Sequence, residues 1–396
     1  MKKLFKAFKA RLNKEVESVM KSSSVIIPLS LVLILLASCN VHEWPEEAGE
    51  SYPFILYMNF DTDLPLHKEV YYTRSDNGSR ADENEYDIRY VVNVYSVKDE
   101  SDDNRWIENT YTFSRTYVKD HNFSVELALP EGRYKFRVWS DHVAKGLQDD
   151  HFYLTSDFAE IKLDESGTHP GSNELRDAFR GTAYGEVYNP EIYQIRFGKA
   201  PENSATANMK RPMGRYEFIS TDLDEFLDKA IQNLDPKILA DMLAEAASRA
   251  EEDMDTKGEG FWNGLTRDEV ADAIGLENYK VIFSYNAFMP SSYNIYTDKP
   301  SDSSTNISYE SRMRVGANGM QLGFDYILVD DQTTMNINMD ILNGDGQVVA
   351  STKGVEVPVV RSKNTIVKGS FLTVTSGGGV SINPDFDGPD FDIEIK

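Results

Sequence analysis

The sequence predicts a mainly β protein: two antiparallel β-sandwich domains, with a helical insertion in the second. Three observations carry this prediction. Short apolar segments of period two, rich in Phe, Tyr and Val, recur between polar turns from Tyr52 onward. Helical periodicity is confined to about residues 222–277. After Cys39 the chain has no further cysteine, so its core must be packed without disulfides, and 20 phenylalanines and 21 tyrosines supply the bulk. The expected division is a lipoprotein signal peptide over 1–38, a flexible tether over 39–51, an N-terminal sandwich over 52–199 and a C-terminal sandwich over 200–396.

The apolar run Val25–Leu35, preceded by Lys21 and interrupted by Pro28, is too short for a spanning helix, which needs about 20 residues. A basic start, a brief apolar core and small residues before a junction form the layout of an export signal. Leu36-Ala37-Ser38-Cys39 at that junction resembles the bacterial lipobox. That resemblance implies a thiol carrying diacylglycerol on a cysteine that becomes the new N-terminus. Each buried methylene contributes about 0.8 kcal/mol, and more than one chain is needed for stable anchoring. Met20-Lys21 would open a signal of ordinary length, so initiation at Met20 rather than Met1 is the expectation.

The chain carries a net charge of −24, and the first 38 residues hold seven basic residues against two acidic ones, so the remainder is more acidic still. Such a surface repels nucleic acid. Asn40–Ser51 is acidic, poor in apolar residues and contains Pro45, which marks a tether. Glu43, Glu46 and Glu47 in it resemble, loosely, the export signals of surface lipoproteins in Bacteroides-type bacteria.

In the first sandwich, Tyr52–Phe60 and Tyr86–Val97 read as strands, separated by the polar stretch Ser75–Asn84. Phe123–Leu129 and Gly132–Ser140 flank a Pro130-Glu131 turn. Along the second of these, Tyr134, Phe136 and Val138 alternate with Lys135, Arg137 and Trp139. Phe152–Leu163 and Phe179–Val187 complete the set, and Met209–Ser220 reads as one further strand.

The pattern then changes period. Thr221 or Asp222 can cap a helix carrying Leu223, Phe226, Leu227 and Ile231. Asp235-Pro236 restarts helix with proline at its first position. Thr266-Arg267-Asp268-Glu269 has the form of a capping box. Strands resume at Tyr279–Tyr285, Met320–Leu328, Met335–Leu342 and Gln347–Thr352, the last two joined by an Asn343-Gly344-Asp345-Gly346 turn. Val355–Val360, Thr365–Thr375 and Phe391–Ile395 close the second sandwich.

Several motifs then fall in a recognisable order. The lipobox is followed by His42-Glu43-Trp44-Pro45, Leu129-Pro130-Glu131-Gly132-Arg133-Tyr134 and Val138-Trp139-Ser140-Asp141. Arg176-Asp177-Ala178-Phe179-Arg180-Gly181, Lys210–Phe218, Val357–Thr365 and Gly369–Thr373 follow. Together they resemble the FimB-type anchor and accessory lipoproteins of the fimbrillin superfamily, which build type V pili in Bacteroides-like bacteria. The resemblance implies two transthyretin-like sandwiches and a lipid-anchored, surface-exposed outer-membrane subunit. It further implies other fimbrial subunits as partners and assembly by strand addition. The insertion at 222–277 is longer than the family leads one to expect.

No motif points to an enzyme or a cofactor. The six histidines (His42, His67, His121, His142, His151 and His169) include no His-Glu-x-x-His pattern. Asp141-His142 and Asp149-Asp150-His151 could meet around a metal, although solvated loops are the plainer reading. There is no Gly-x-Ser-x-Gly elbow and no P-loop, Ser376–Val380 opens no helix, and Asp385–Asp392 lacks calcium-loop spacing. The site residues expected are therefore Cys39 for lipidation and Arg74 and Arg80 as protease sites should the chain polymerise. Cutting at either arginine would remove Tyr52–Phe60 and open a groove, as in a stalk subunit. Retaining that strand would make an anchor, which the flexible tether without Arg or Lys favours, with Asp385–Lys396 as a donor or lid strand. The alternative is a surface glycan-binding lipoprotein of a nutrient-uptake system, for which Trp106, Trp139 and Trp262 would be platform candidates.

Overall fold

The computed structural model describes residues 50–60, 86–97, 111–118, 124–165, 167–199, 202–252, 262–316, 319–374 and 390–394. Strands β1 (Ser51–Phe60), β2 (Tyr86–Val97), β3 (Tyr111–Val118), β4 (Ser124–Pro130) and β5 (Gly132–Ala144) are followed by two short strands, β6 (Tyr153–Leu154) and β7 (Ile161–Leu163). β8 (Phe179–Val187), helix α1 (Pro190–Phe197) and β9 (Ser204–Met209) come next. They form a three-stranded sheet, β4-β1-β9, facing a four-stranded sheet, β3-β2-β5-β8. The stacked rings of Phe54 and Phe136, with centroids 5.0 Å apart, join the two faces.

The second sandwich begins with β10 (Met213–Ser220) and then inserts helices α2 (Leu223–Gln232), α3 (Pro236–Glu252) and α4 (Arg267–Ala273). It continues through β11 (Lys280–Tyr285), β12 (Met289–Asn294), β13 (Lys299–Ser304), β14 (Ser308–Arg312), β15 (Arg314–Gly316) and β16 (Gly319–Leu328). β17 (Gln332–Leu342), β18 (Val348–Val360), β19 (Asn364–Gly369) and β20 (Asp390–Glu394) complete it. Its sheets are β15-β16-β10-β19-β20 and β14-β11-β17-β18. Phe218 packs on Phe283 at 5.7 Å between them. Most pairings are antiparallel; β1–β9, β10–β19 and β19–β20 are parallel.

A fifth sheet, β13-β12-β7-β6, takes two strands from each half of the chain. It lies against the face of β2 and β5 turned away from the first sandwich's core, where Trp139 meets Tyr153 at 5.3 Å and Tyr293 at 6.5 Å. That cover changes the reading of those strands. Alternation assigns Arg89, Asn93, Lys135 and Arg137 to a polar outer face, yet their exposures are only 2, 9, 3 and 9 %. A strand covered on both sides is buried along its length whatever its pattern. The polar groups are tolerated because they find partners: Arg89 donates to both oxygens of Asp141, at 2.9 and 2.7 Å, and Arg137 donates to the Ile295 carbonyl at 3.1 Å.

Other departures have equally local causes. Met209–Ser220 is not one strand: Pro212 can donate no ladder bond, and the chain passes from β9 in the first sandwich to β10 in the second across Lys210–Pro212. Phe152–Leu163 contains only the short β6 and β7. Gln347–Thr352 and Val355–Val360 are a single strand, β18, that passes through Gly354 at φ 68°. Asp222 does precede α2, but its carboxylate makes no cap bond. It accepts instead from the Phe371, Leu372 and Thr373 amides and the Thr373 hydroxyl. The Thr266–Glu269 capping box of α4 is present in both directions.

Candidate functional site

β1, the first strand among the described residues, is the middle strand of its sheet. β1 pairs antiparallel with β4, Ser51 opposite Pro130 and Tyr57 opposite Ser124, and parallel with β9, Ile55 opposite Ser204 and Phe60 opposite Met209. Its alternate residues Phe54, Leu56, Met58 and Phe60 are buried, while Ser51, Tyr57 and Asn59 are exposed. Phe60 sets its ring edge-on to Phe179 at 4.9 Å. Gly185 has no side chain because none would fit: a Cβ there would come within 2.5 Å of the Phe54 ring. β4 and β9 are bonded to β1 and not to each other. Withdrawing β1 would therefore expose two ladders and a row of four apolar pockets, the geometry that strand addition requires.

A second feature lies on the covered face of β2. A cavity of about 500 Å³ is lined by Asn93, Tyr95, Ser114, Thr116, Thr155 and Tyr296, among others. The Tyr95 and Tyr296 hydroxyls are 2.5 Å apart, and the Arg137 guanidinium lies over the Tyr296 ring. Arg89 at its wall is neutralised by Asp141 and Asp150. Asp149, Asp150 and Asp157 also line it, so the wall is polar and on balance acidic, and it suits a polar ligand that offers hydrogen-bond donors.

The most tightly coupled ionisable groups sit elsewhere, in the connection from β7 to β8 and the core of the second sandwich. His169 Nε2 is 2.6 Å from Asp325 Oδ2, Arg176 binds the other oxygen, and Tyr285 donates to Asp325 at 2.6 Å. Burial by itself would raise the Asp325 carboxyl, but Arg176, His169 and Tyr285 outweigh it and hold the group down to about 2. Burial and neighbouring charge push the Tyr216, Tyr285 and Tyr309 phenols well above 10. The His169 side chain is 8 % exposed, and the network fastens the connection from β7 to β8 onto β16.

The sequence-predicted residues divide clearly. Cys39, Arg74, Arg80, Trp106, His42, His67 and His121 lie outside the described residues, as do Ser376–Val380 and most of Asp385–Lys396. Of the last stretch, Asp390–Glu394 forms β20 along β19, Asn364 opposite Asp390. Trp139 is fully buried and cannot form an exposed platform; Trp262 is partly buried against the core. Asp141 and Asp150 are brought together by Arg89, not by a histidine. Among the described residues no group of three His, Cys, Asp or Glu side chains is placed to hold a metal, and no helix is long and apolar enough to cross a membrane. Sequence reading missed β3, β9, β12, β13, β14, β15 and the cavity. The alternation of Ala205, Ala207 and Met209 was the one available signal for β9; for the cavity there was none, since its walls come from distant segments.

Among solved structures, the chain is similar to the fimbrial anchor protein Mfa2 from Porphyromonas gingivalis, at 12 % identity over 76 % of this chain and 82 % of that one, with a TM-score of 0.34. It is also similar to a fimbrial assembly protein from Parabacteroides distasonis, at 10 % identity over 81 % and 91 % of the two chains, with a TM-score of 0.32. No curated protein matches the sequence. A family model does match, over residues 55–396, from β1 to the last residue, and the chain belongs to that family, a family of unknown function designated DUF6562.

Proposed function

We propose that the protein is a lipid-anchored subunit of a type V pilus, serving as its anchor or as an accessory subunit. The observation that carries the reading is the place of β1: the first strand after the tether is the central strand of its sheet, with four buried side chains. A subunit that keeps this strand keeps the first sandwich closed and stays joined to acyl chains on Cys39. One that loses it after Arg74 or Arg80 gains an open groove and loses its anchor. The motif order of the sequence and the acidic tether, which offers no Arg or Lys for cleavage, favour retention. The place for a neighbour's strand is then the edge of the five-stranded sheet, where β20 lies parallel to β19. If β20 lifts away, β19 offers unpaired backbone groups to another chain.

N-terminal sequencing and mass analysis of the protein in isolated pili test the reading. A mature chain beginning at acylated Cys39 supports the anchor. A chain beginning at Ser75 or Ala81 means a polymerised stalk subunit.

The cavity beside Tyr95 and Tyr296 favours a second reading, a glycan-binding surface lipoprotein. Specific retention on a polysaccharide that disappears in Tyr296→Ala, with pilus assembly unaffected, would select it over the first.

A further inference from the structure

Helix α1 buries none of its residues. Ile195 is 85 % exposed, Phe197 66 % and Ile192 46 %, which places three large apolar side chains in solvent within six positions. The helix is held firmly, so its exposure is built in. Asn189 caps it by accepting from the Glu191 and Ile192 amides and donates to the Tyr52 hydroxyl at 2.6 Å. Asn203 bonds the Tyr188 amide and carbonyl and the Pro53 carbonyl. The Tyr193 ring packs, tilted, against those of Tyr188 and Phe197, at 4.9 and 4.5 Å.

These contacts fix α1 beside the first residues of β1. The registers Ser51–Pro130 and Gly132–Val187 put the start of β1, the β4–β5 turn, the end of β8 and α1 at one end of the first sandwich. The chain upstream of that end is short: Cys39 to Ser51 spans at most about 40 Å when fully extended. Any bilayer that holds the acyl chains therefore lies within reach of α1.

We propose that α1 is a membrane-contact element that rests on the lipid surface holding Cys39, with Ile192 and Ile195, which stand three positions apart on one side of the helix, in the interface. The proposal depends on the lipid-anchor reading above. Arg196 and Lys199 bring positive charge to the helix end, but Glu50, Glu131 and Glu191 all lie close enough to act on Tyr52. The acidic excess directs the helix to a zwitterionic surface rather than an anionic one.

The test uses the full chain purified from membranes. Cys39 is the only cysteine, so once it is acylated a thiol introduced by Ile195→Cys is the single site for a nitroxide label. Phe288→Cys serves as control, since Phe288 is 68 % exposed in the second sandwich. In vesicles of phosphatidylethanolamine and phosphatidylcholine, the label at 195 should collide several-fold more with oxygen, relative to a water-soluble nickel chelate, than the label at 288. Replacing half the lipid by phosphatidylglycerol should reduce that ratio; a rise overturns the preference for a zwitterionic surface. Acylated Cys39 with a water-like signal at 195 overturns the contact and leaves the anchor standing. Unacylated Cys39, seen by mass, overturns the anchor and the contact with it.

Discussion

His169 Nε2 lies 2.6 Å from Asp325 Oδ2 across 156 positions of chain, and this pair ties the β7–β8 connection to β16. The tie is not isolated. The Ser172 amide donates to the Phe324 carbonyl at 2.8 Å, and Arg176 shares Asp325 with His169. A Cβ on Gly171 would fall 2.3 Å from the Tyr309 ring. The connection is thereby pressed against the second sandwich, and the two halves meet through packed groups rather than a loose linker.

Asp325→Asn should lower stability by about 3–5 kcal/mol, because the buried Arg176 charge loses its partner. Urea unfolding of the variant against the parent measures it. A cost below about 1 kcal/mol would mean that the network contributes little.

The same carboxyl sets an acid limit. Its pKa is held at about 2, below the ordinary value of 3.8. The associated stability is present above pH about 4 and is lost as the pH falls through about 2. Its size is on the order of 2 kcal/mol. Melting temperatures of parent and Asp325→Asn should therefore converge as the pH is lowered through this window.

At the other extreme, the buried Tyr216, Tyr285, Tyr309 and Tyr326 phenols are raised well above 10. Their neutral forms stabilise the fold fully below pH 10, and that contribution falls away above it. Tyrosinate absorbance should rise in two steps, with these buried phenols contributing only to the second, together with unfolding. A single smooth rise would contradict their burial.

Phe54→Ala should cost about 3–5 kcal/mol by emptying the pocket between β1 and β5. Gly185→Ala, which drives a methyl into the Phe54 ring, should cost about 1–3 kcal/mol. Because the two sites touch, the double variant should cost less than the sum, and a thermodynamic cycle measures the difference.

Asp222→Ala removes the acceptor for the Leu372 and Thr373 amides, while the Phe371 amide keeps the Ser220 hydroxyl at 3.0 Å. Hydrogen exchange at the Leu372 and Thr373 amides should accelerate by about tenfold or more, the equivalent of roughly 1.4 kcal/mol of lost protection. Unchanged exchange would show that the β19 flank is held by packing alone.

The sequence by itself determined what local chemistry can encode. Alternation marked β2, β4 and β5; Thr266 and Glu269 capped α4; Asn343–Gly346 turned β17 into β18, the Gly346 amide donating to the Asn343 carbonyl. The mainly β class, with helices inserted after β10, follows from those periods. Only the tertiary structure decided which faces are covered. A period of two shows that a strand has two faces but not what lies on each, so Arg89, Lys135 and Arg137 read as solvated until a sheet drawn from both halves buried them. Nor could alternation place β9 beside β1 or join Asp222 to Phe371. Backbone pairing leaves little trace in side-chain type, and a carboxylate that bonds its own helix looks, in sequence, like one that bonds a segment about 150 residues away.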